Sequence, residues 1–122
     1  MSMKEQAYAY IDAHRDSMMK MWEDFVMTES GSANKADVDG LIARAADILT
    51  GMGGKTRIVE FPDAGNALVS EFGDCANKPF VVFVGHLDTV FSDPGETERR
   101  PFTIKDGKAY GPGVLDMKAG VT

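Results

Sequence analysis

The sequence has a single cysteine, Cys75, which excludes an intrachain disulfide and any all-cysteine zinc cage; it reads as an inert thiol near a strand end. No apolar run approaches the roughly 20 residues a membrane span needs. The opening MSMKEQAYAYIDAHRDS alternates charge with apolar groups, so it has no signal-peptide core. These absences predict a soluble, cytoplasmic protein with no membrane partner. Basic residues are the minority, 13 against 19 acidic, for a net charge of −6. A nucleic-acid surface needs clustered Lys and Arg, and only Arg99 and Arg100 are adjacent, a pair that reads as a solvated loop face. Internal repeats, low-complexity tracts and a second domain are also missing. The 122 residues and 43% hydrophobic content suffice for one domain around one core.

Tyr8, Ile11, Met18, Trp22 and Phe25 recur at three-and-four spacing, which predicts a long amphipathic helix over about residues 3–27 with that face packed. Met18, Met19 and Met21 fit core filling better than soft-metal binding, and His14 fits surface or packing better than ligation. ESGSAN supplies turn and N-cap residues. A second apolar face follows, from Val38, Leu41 and Ile42 through Ala45, Ile48, Leu49 and Met52, and closes at Gly51, Gly53 and Gly54. KTRIVEF and NALVSEF, separated by the turn residues of PDAG, predict neighbouring strands. FVVFV, residues 80–84, lacks polar alternation and predicts a central strand buried on both faces. In PFTIKDGKAY, Asp106 and Gly107 sit between two β-like arms, a hairpin signal.

GHLDTV follows the apolar run. His86 and Asp88 are two residues apart, so on extended backbone both side chains project to one side. A neutral imidazole can bind zinc through one nitrogen while a carboxylate accepts the proton of the other, and sites of open α/β sheets lie beyond the strands' carboxyl ends. Alone, the HxD pattern is better read as a histidine satisfied by its neighbouring carboxylate at a strand end. The second element is GPGVLDMKAG, whose glycines flank a proline ahead of Asp116. The intervening hairpin could return the chain to the mouth of the sheet, so that His86 and Asp116 meet one metal. Lys118 reads as structural.

GHLDTV followed by AYGPGVLDMKAG closely resembles the paired motifs of the glutamate-carboxypeptidase, aminoacylase and succinyl-diaminopimelate desuccinylase family of two-zinc hydrolases. DTVF and PFTIKDGKAYGPG look most like the glutamate-carboxypeptidase branch. The resemblance implies an α/β fold, the amino-terminal part of a zinc-exopeptidase-like (phosphorylase/hydrolase-like) catalytic domain with helices packed on a mixed β-sheet. It implies zinc as cofactor, His86 binding one ion, Asp116 bridging two and Asp88 orienting His86 as a catalytic group. It also implies a cis peptide after the bridging aspartate, here Asp116–Met117. The implied chemistry is hydrolysis of an amide bond in a small peptide or N-acyl amino acid, releasing a C-terminal glutamate or similar residue.

In that family the proton-moving glutamate, the remaining ligands and a smaller dimerising domain come later in the chain than Thr122. Residues 1–122 are therefore expected to be the amino-terminal portion of a catalytic domain, to bind zinc weakly, to lack useful hydrolase activity alone, and to self-associate through apolar surface left uncovered. Two other readings stand beside this one: an N-acyl amino acid deacylase of the same family, and a non-catalytic metal-binding or regulatory domain. A plain α/β domain would require both motifs to be accidental.

Overall fold

The computed structural model describes residues 1–122. Helix α1 spans Met3–Val26 and opens on a capping box: Glu5 N–H donates to Ser2 Oγ, while Ser2 N–H donates to the Glu5 carboxylate at 2.7 Å. Helix α2 spans Lys35–Gly51. Strands β1 (Lys55–Val59) and β2 (Ala67–Glu71) pair antiparallel with Lys55 opposite Glu71, and β3 (Thr103–Lys105) and β4 (Lys108–Tyr110) form a second hairpin. Asp106 and Gly107 both have positive φ, 52° and 72°, the geometry a two-residue hairpin turn demands. A short helix, α3 (Glu96–Arg99), precedes the second hairpin. The chain closes with a wide turn, Val114–Lys118, and one helical turn, α4 (Ala119–Val121).

The expected helices and both hairpins are present, and the architecture is α/β. Both two-stranded sheets are antiparallel, and parallel pairing is confined to a single bridge between Gly31 and Thr89.

The core joins Phe25 of α1 to Val38, Leu41, Ile42 and Ala45 of α2 and to Leu87, with Met21, Ile48 and Leu68 packed against it. Burying side chains of this size contributes about 1.5–3 kcal/mol each for the large aliphatic and aromatic groups. Lys35 ties α2 to the turn between β1 and β2. Its ammonium donates to Asp39, Asn66 and the Ala64 carbonyl, and Asp39 in turn accepts from Asn66 N–H at 2.7 Å.

Two expectations fail. Residues 80–84 form no strand: Phe83 is 94% exposed and the others at least 63%, because no strand among the 122 residues lies alongside to pair with their backbone. The α1 face is packed only at its carboxyl end. Phe25 and Val26 are buried and Met18, Met21 and Trp22 half-buried, whereas Tyr8 and Ile11 remain exposed with nothing folded over them. In consequence the chain exposes 8660 Å², where a compact monomer of its mass exposes about 6,400 Å².

Arg99 and Arg100 are solvent-exposed, as expected, and are engaged locally as well. Both pair with the buried Glu96 carboxylate, Arg99 at 2.7 Å, and Arg100 lies 4.3 Å from the centre of the Phe91 ring. They hold Glu96 well below the usual carboxylate range, chiefly through the Arg99 hydrogen bond, against the opposing effect of burial.

Candidate metal centre

Residue alternation sets the first half of the site. Leu87 turns into the core, 5% exposed, so His86 and Asp88 on either side face outward together. The second half is the Val114–Lys118 turn, where Asp116 (φ −113°, ψ 98°) and Met117 (φ −133°, ψ 37°) leave helical geometry and the Asp116–Met117 peptide is cis.

Helix α1 holds that turn at both flanks. Trp22 Nε1 donates to the Val114 carbonyl at 3.0 Å. Lys118, 1% exposed, donates from Nζ to the carbonyls of Phe25 at 2.7 Å and Thr28 at 3.0 Å. These carbonyls lie at the carboxyl end of α1, where few backbone N–H partners remain: Phe25 accepts only a long bond from Thr28 N–H at 3.3 Å. Burial pushes the Lys118 ammonium down to about 8, with the Glu29 carboxylate opposing. Gly113, at φ 70°, passes so close to Thr89 that an added Cβ would sit 2.6 Å from its methyl group.

The turn brings Asp116 Oδ1 to 3.0 Å from His86 Nε2, across thirty residues of sequence. On the other side of the ring, Nδ1 lies 3.0 Å from the Asp88 main-chain carbonyl and 3.3 Å from Asp88 Oδ1. Nδ1 thus faces two acceptors against one, the Asp116 carboxylate, at Nε2, which favours the proton on Nδ1. In the neutral ring the Nε2 lone pair then confronts the Asp116 carboxylate, an arrangement that calls for a positive species between them. A proton meets that need. Burial by itself would lower the His86 pKa, but the Asp88 carbonyl and the Asp116 carboxylate outweigh it and raise the pKa above the usual 6.5. A divalent cation meets the need equally, since donors of this kind sit about 2.0–2.2 Å from zinc. The donor chemistry therefore fits a metal, as half of a site: no cluster of three or more His, Cys, Asp or Glu that could hold a metal ion is present.

His86, Asp88 and Asp116 line one open cleft of ≈ 350 Å³ together with Ser32, Phe91 and Leu115. The other sequence candidates lie outside it. His14 bonds the Tyr10 carbonyl at 2.8 Å and stacks on the Tyr10 ring, and Cys75 contacts the Phe72 carbonyl. Ser32 was not singled out by the sequence. Its hydroxyl reaches Asp88 Oδ2 at 2.6 Å from 56 residues away, and no local pattern announces such a contact.

A GHLDTV loop and a GPGVLD loop converging on a shared pair of donors define the class. Residues 82–122 match the profile of peptidase family M20/M25/M40. The chain is 30% identical over 138 residues to the Beta-Ala-His dipeptidase of Rattus norvegicus, covering 96% of this chain and 27% of the relative. It is 37% identical over 91 residues to the succinyl-diaminopimelate desuccinylase of Rickettsia africae, covering 68% and 23%. Against the crystal structure of human carnosine dipeptidase 1 the TM-score is 0.78 at 27% identity, covering 97% of this chain and 28% of that one. The chain thus spans about a quarter of the length of the relatives it matches.

Proposed function

We propose that residues 1–122 are the amino-terminal portion of a catalytic domain and supply half of a two-zinc site for hydrolysing an amide bond in a small peptide or N-acyl amino acid. The observation that carries this reading is the 3.0 Å approach of His86 Nε2 and Asp116 Oδ1, with Nδ1 turned to the Asp88 main-chain carbonyl at 3.0 Å. In this reading His86 would hold one zinc, Asp116 would be shared between two, and Asp88 would keep the imidazole in the tautomer that leaves Nε2 free. An anion shared between two cations offsets part of their mutual repulsion. Bound there, zinc supplies Lewis-acid polarisation of a carbonyl and lowers the pKa of water.

The finer assignment is release of a C-terminal glutamate or similar amino acid, and it rests on the likeness of DTVF and PFTIKDGKAYGPG to the glutamate-carboxypeptidase branch. N-acyl amino acid deacylation is the second reading. It is favoured by relatives named succinyl-diaminopimelate desuccinylase and acetylornithine deacetylase, the latter from Edwardsiella ictaluri. The cations near the cleft decide nothing between them, because Lys118 is committed to backbone carbonyls and Arg99 and Arg100 to Glu96. No helix is long and apolar enough to cross a membrane. A cytoplasmic location belongs to the proposal and is checked by cell fractionation.

The test is zinc titration of the chain by calorimetry beside His86→Ala and Asp116→Ala. Weak binding abolished by either substitution is expected. Absence of binding, or binding indifferent to both changes, would overturn the half-site.

A further inference from the structure

We propose that Ser32 is a positioning residue for the His86 donor, acting through Asp88; the inference rests on the metal-site reading above. The segment ESGSAN looks in sequence like a helix entry, yet its residues do other work. Asn34 stands at the N-cap of α2 without a side-chain cap bond and instead donates from Nδ2 to the Ser92 carbonyl at 2.9 Å. Ser30 Oγ donates to the Leu87 carbonyl at 2.9 Å, Thr89 N–H to the Ser30 carbonyl at 2.9 Å, and Ser32 N–H to the Thr89 carbonyl at 2.8 Å. Gly31 lets the two segments touch: an added Cβ would sit 2.5 Å from both the Phe91 carbonyl oxygen and Ser92 Cα. The loop is laced along 87–92, and its backbone therefore fixes where the Ser32 hydroxyl points.

That hydroxyl lies 2.6 Å from Asp88 Oδ2 and 2.9 Å from the Thr89 carbonyl. It has one proton to give. The Thr89 carbonyl already accepts from Ser32 N–H, and the charged carboxylate is the nearer and stronger acceptor, so the proton goes to Asp88. One carboxylate oxygen is thereby held by Ser32 while the other faces His86 Nδ1 at 3.3 Å. The chain of contacts runs Ser32, Asp88, His86, and ends at Nε2 facing Asp116. Asp88 is 39% exposed at its side chain. Without the serine, its carboxylate is free to rotate toward water, and Nδ1 keeps only the Asp88 main-chain carbonyl at 3.0 Å.

The experiment is long-range ¹H–¹⁵N NMR of the His86 ring in the metal-free chain, at alkaline pH where the ring is neutral, with zinc calorimetry on the same samples. The parent is expected to show mainly the tautomer protonated at Nδ1, the nitrogen with two acceptors. Ser32→Ala is expected to give ring shifts averaged between tautomers and about tenfold weaker zinc binding, the low end for losing an outer partner of a metal-bound histidine. Ser32→Thr, which keeps the hydroxyl, is expected to restore both. A Ser32→Ala ring spectrum identical to the parent, whatever the change in stability, would overturn the proposal and leave Ser32 a loop residue only. The ring readout needs no metal. Failure of the parent to bind zinc would therefore count against the metal-site reading, and an unmoved tautomer against Ser32.

Discussion

Replacing Lys118 by Met tests whether the Asp116 turn depends on α1. The methionine keeps the apolar stem and removes the ammonium, so the Phe25 and Thr28 carbonyls lose donors at 2.7 Å and 3.0 Å in a place only 1% exposed. The Thr28 carbonyl left unpaired costs about 1–3 kcal/mol, and the Phe25 carbonyl, which keeps Thr28 N–H at 3.3 Å, loses a bond to a charged donor, about 1.5–3 kcal/mol. Relief from burying a cation offsets part of this. The expected net loss is about 2–3 kcal/mol, a large share of the stability of a domain this size. Urea unfolding followed by circular dichroism reads it directly. With slopes of about 1–3 kcal/mol/M, the midpoint should fall by roughly 0.7–3 M at constant slope. Zinc binding should weaken alongside, because Asp116 lies two residues from the anchor. A variant within about 0.5 kcal/mol of the parent would refute the reasoning, showing that water satisfies those carbonyls as well as lysine does.

Gly31→Ala should destabilise the chain by about 1–3 kcal/mol, since its Cβ meets backbone atoms at 2.5 Å that cannot yield cheaply; an unchanged urea midpoint would refute this. Asp39 is held below its ordinary pKa of 3.8, first by the Lys35 hydrogen bond and then by Asn66 N–H. Because the folded value is depressed, its contribution is complete above 3.8 and is lost as pH falls through the folded value. Asp39→Asn should accordingly flatten the acid limb of the stability curve, and parallel curves for parent and variant would count against that. The exposed run at 80–84 predicts self-association: sedimentation velocity should show concentration-dependent species that Phe83→Lys suppresses. A parent that stays monomeric at every concentration would dispose of this idea.

Sequence by itself determined the elements whose signals are local. The three-and-four periodicity gave α1 and α2 their extents, and Asp106–Gly107 fixed a hairpin because only residues tolerant of positive φ make that turn. Alternation around Leu87 put His86 and Asp88 on one face, and the paired motifs marked Asp116 as their partner. What is buried was decided by tertiary structure. A run as apolar as Phe80–Val84 becomes a core strand only where another strand pairs with its backbone, and within these residues none does. The same holds for Tyr8 and Ile11, apolar in sequence and exposed in the fold. Tertiary structure alone also placed Ser32 against Asp88 and Lys118 beneath α1. Contacts spanning 56 and 93 residues depend on how the loops pack, and no periodicity or spacing encodes them.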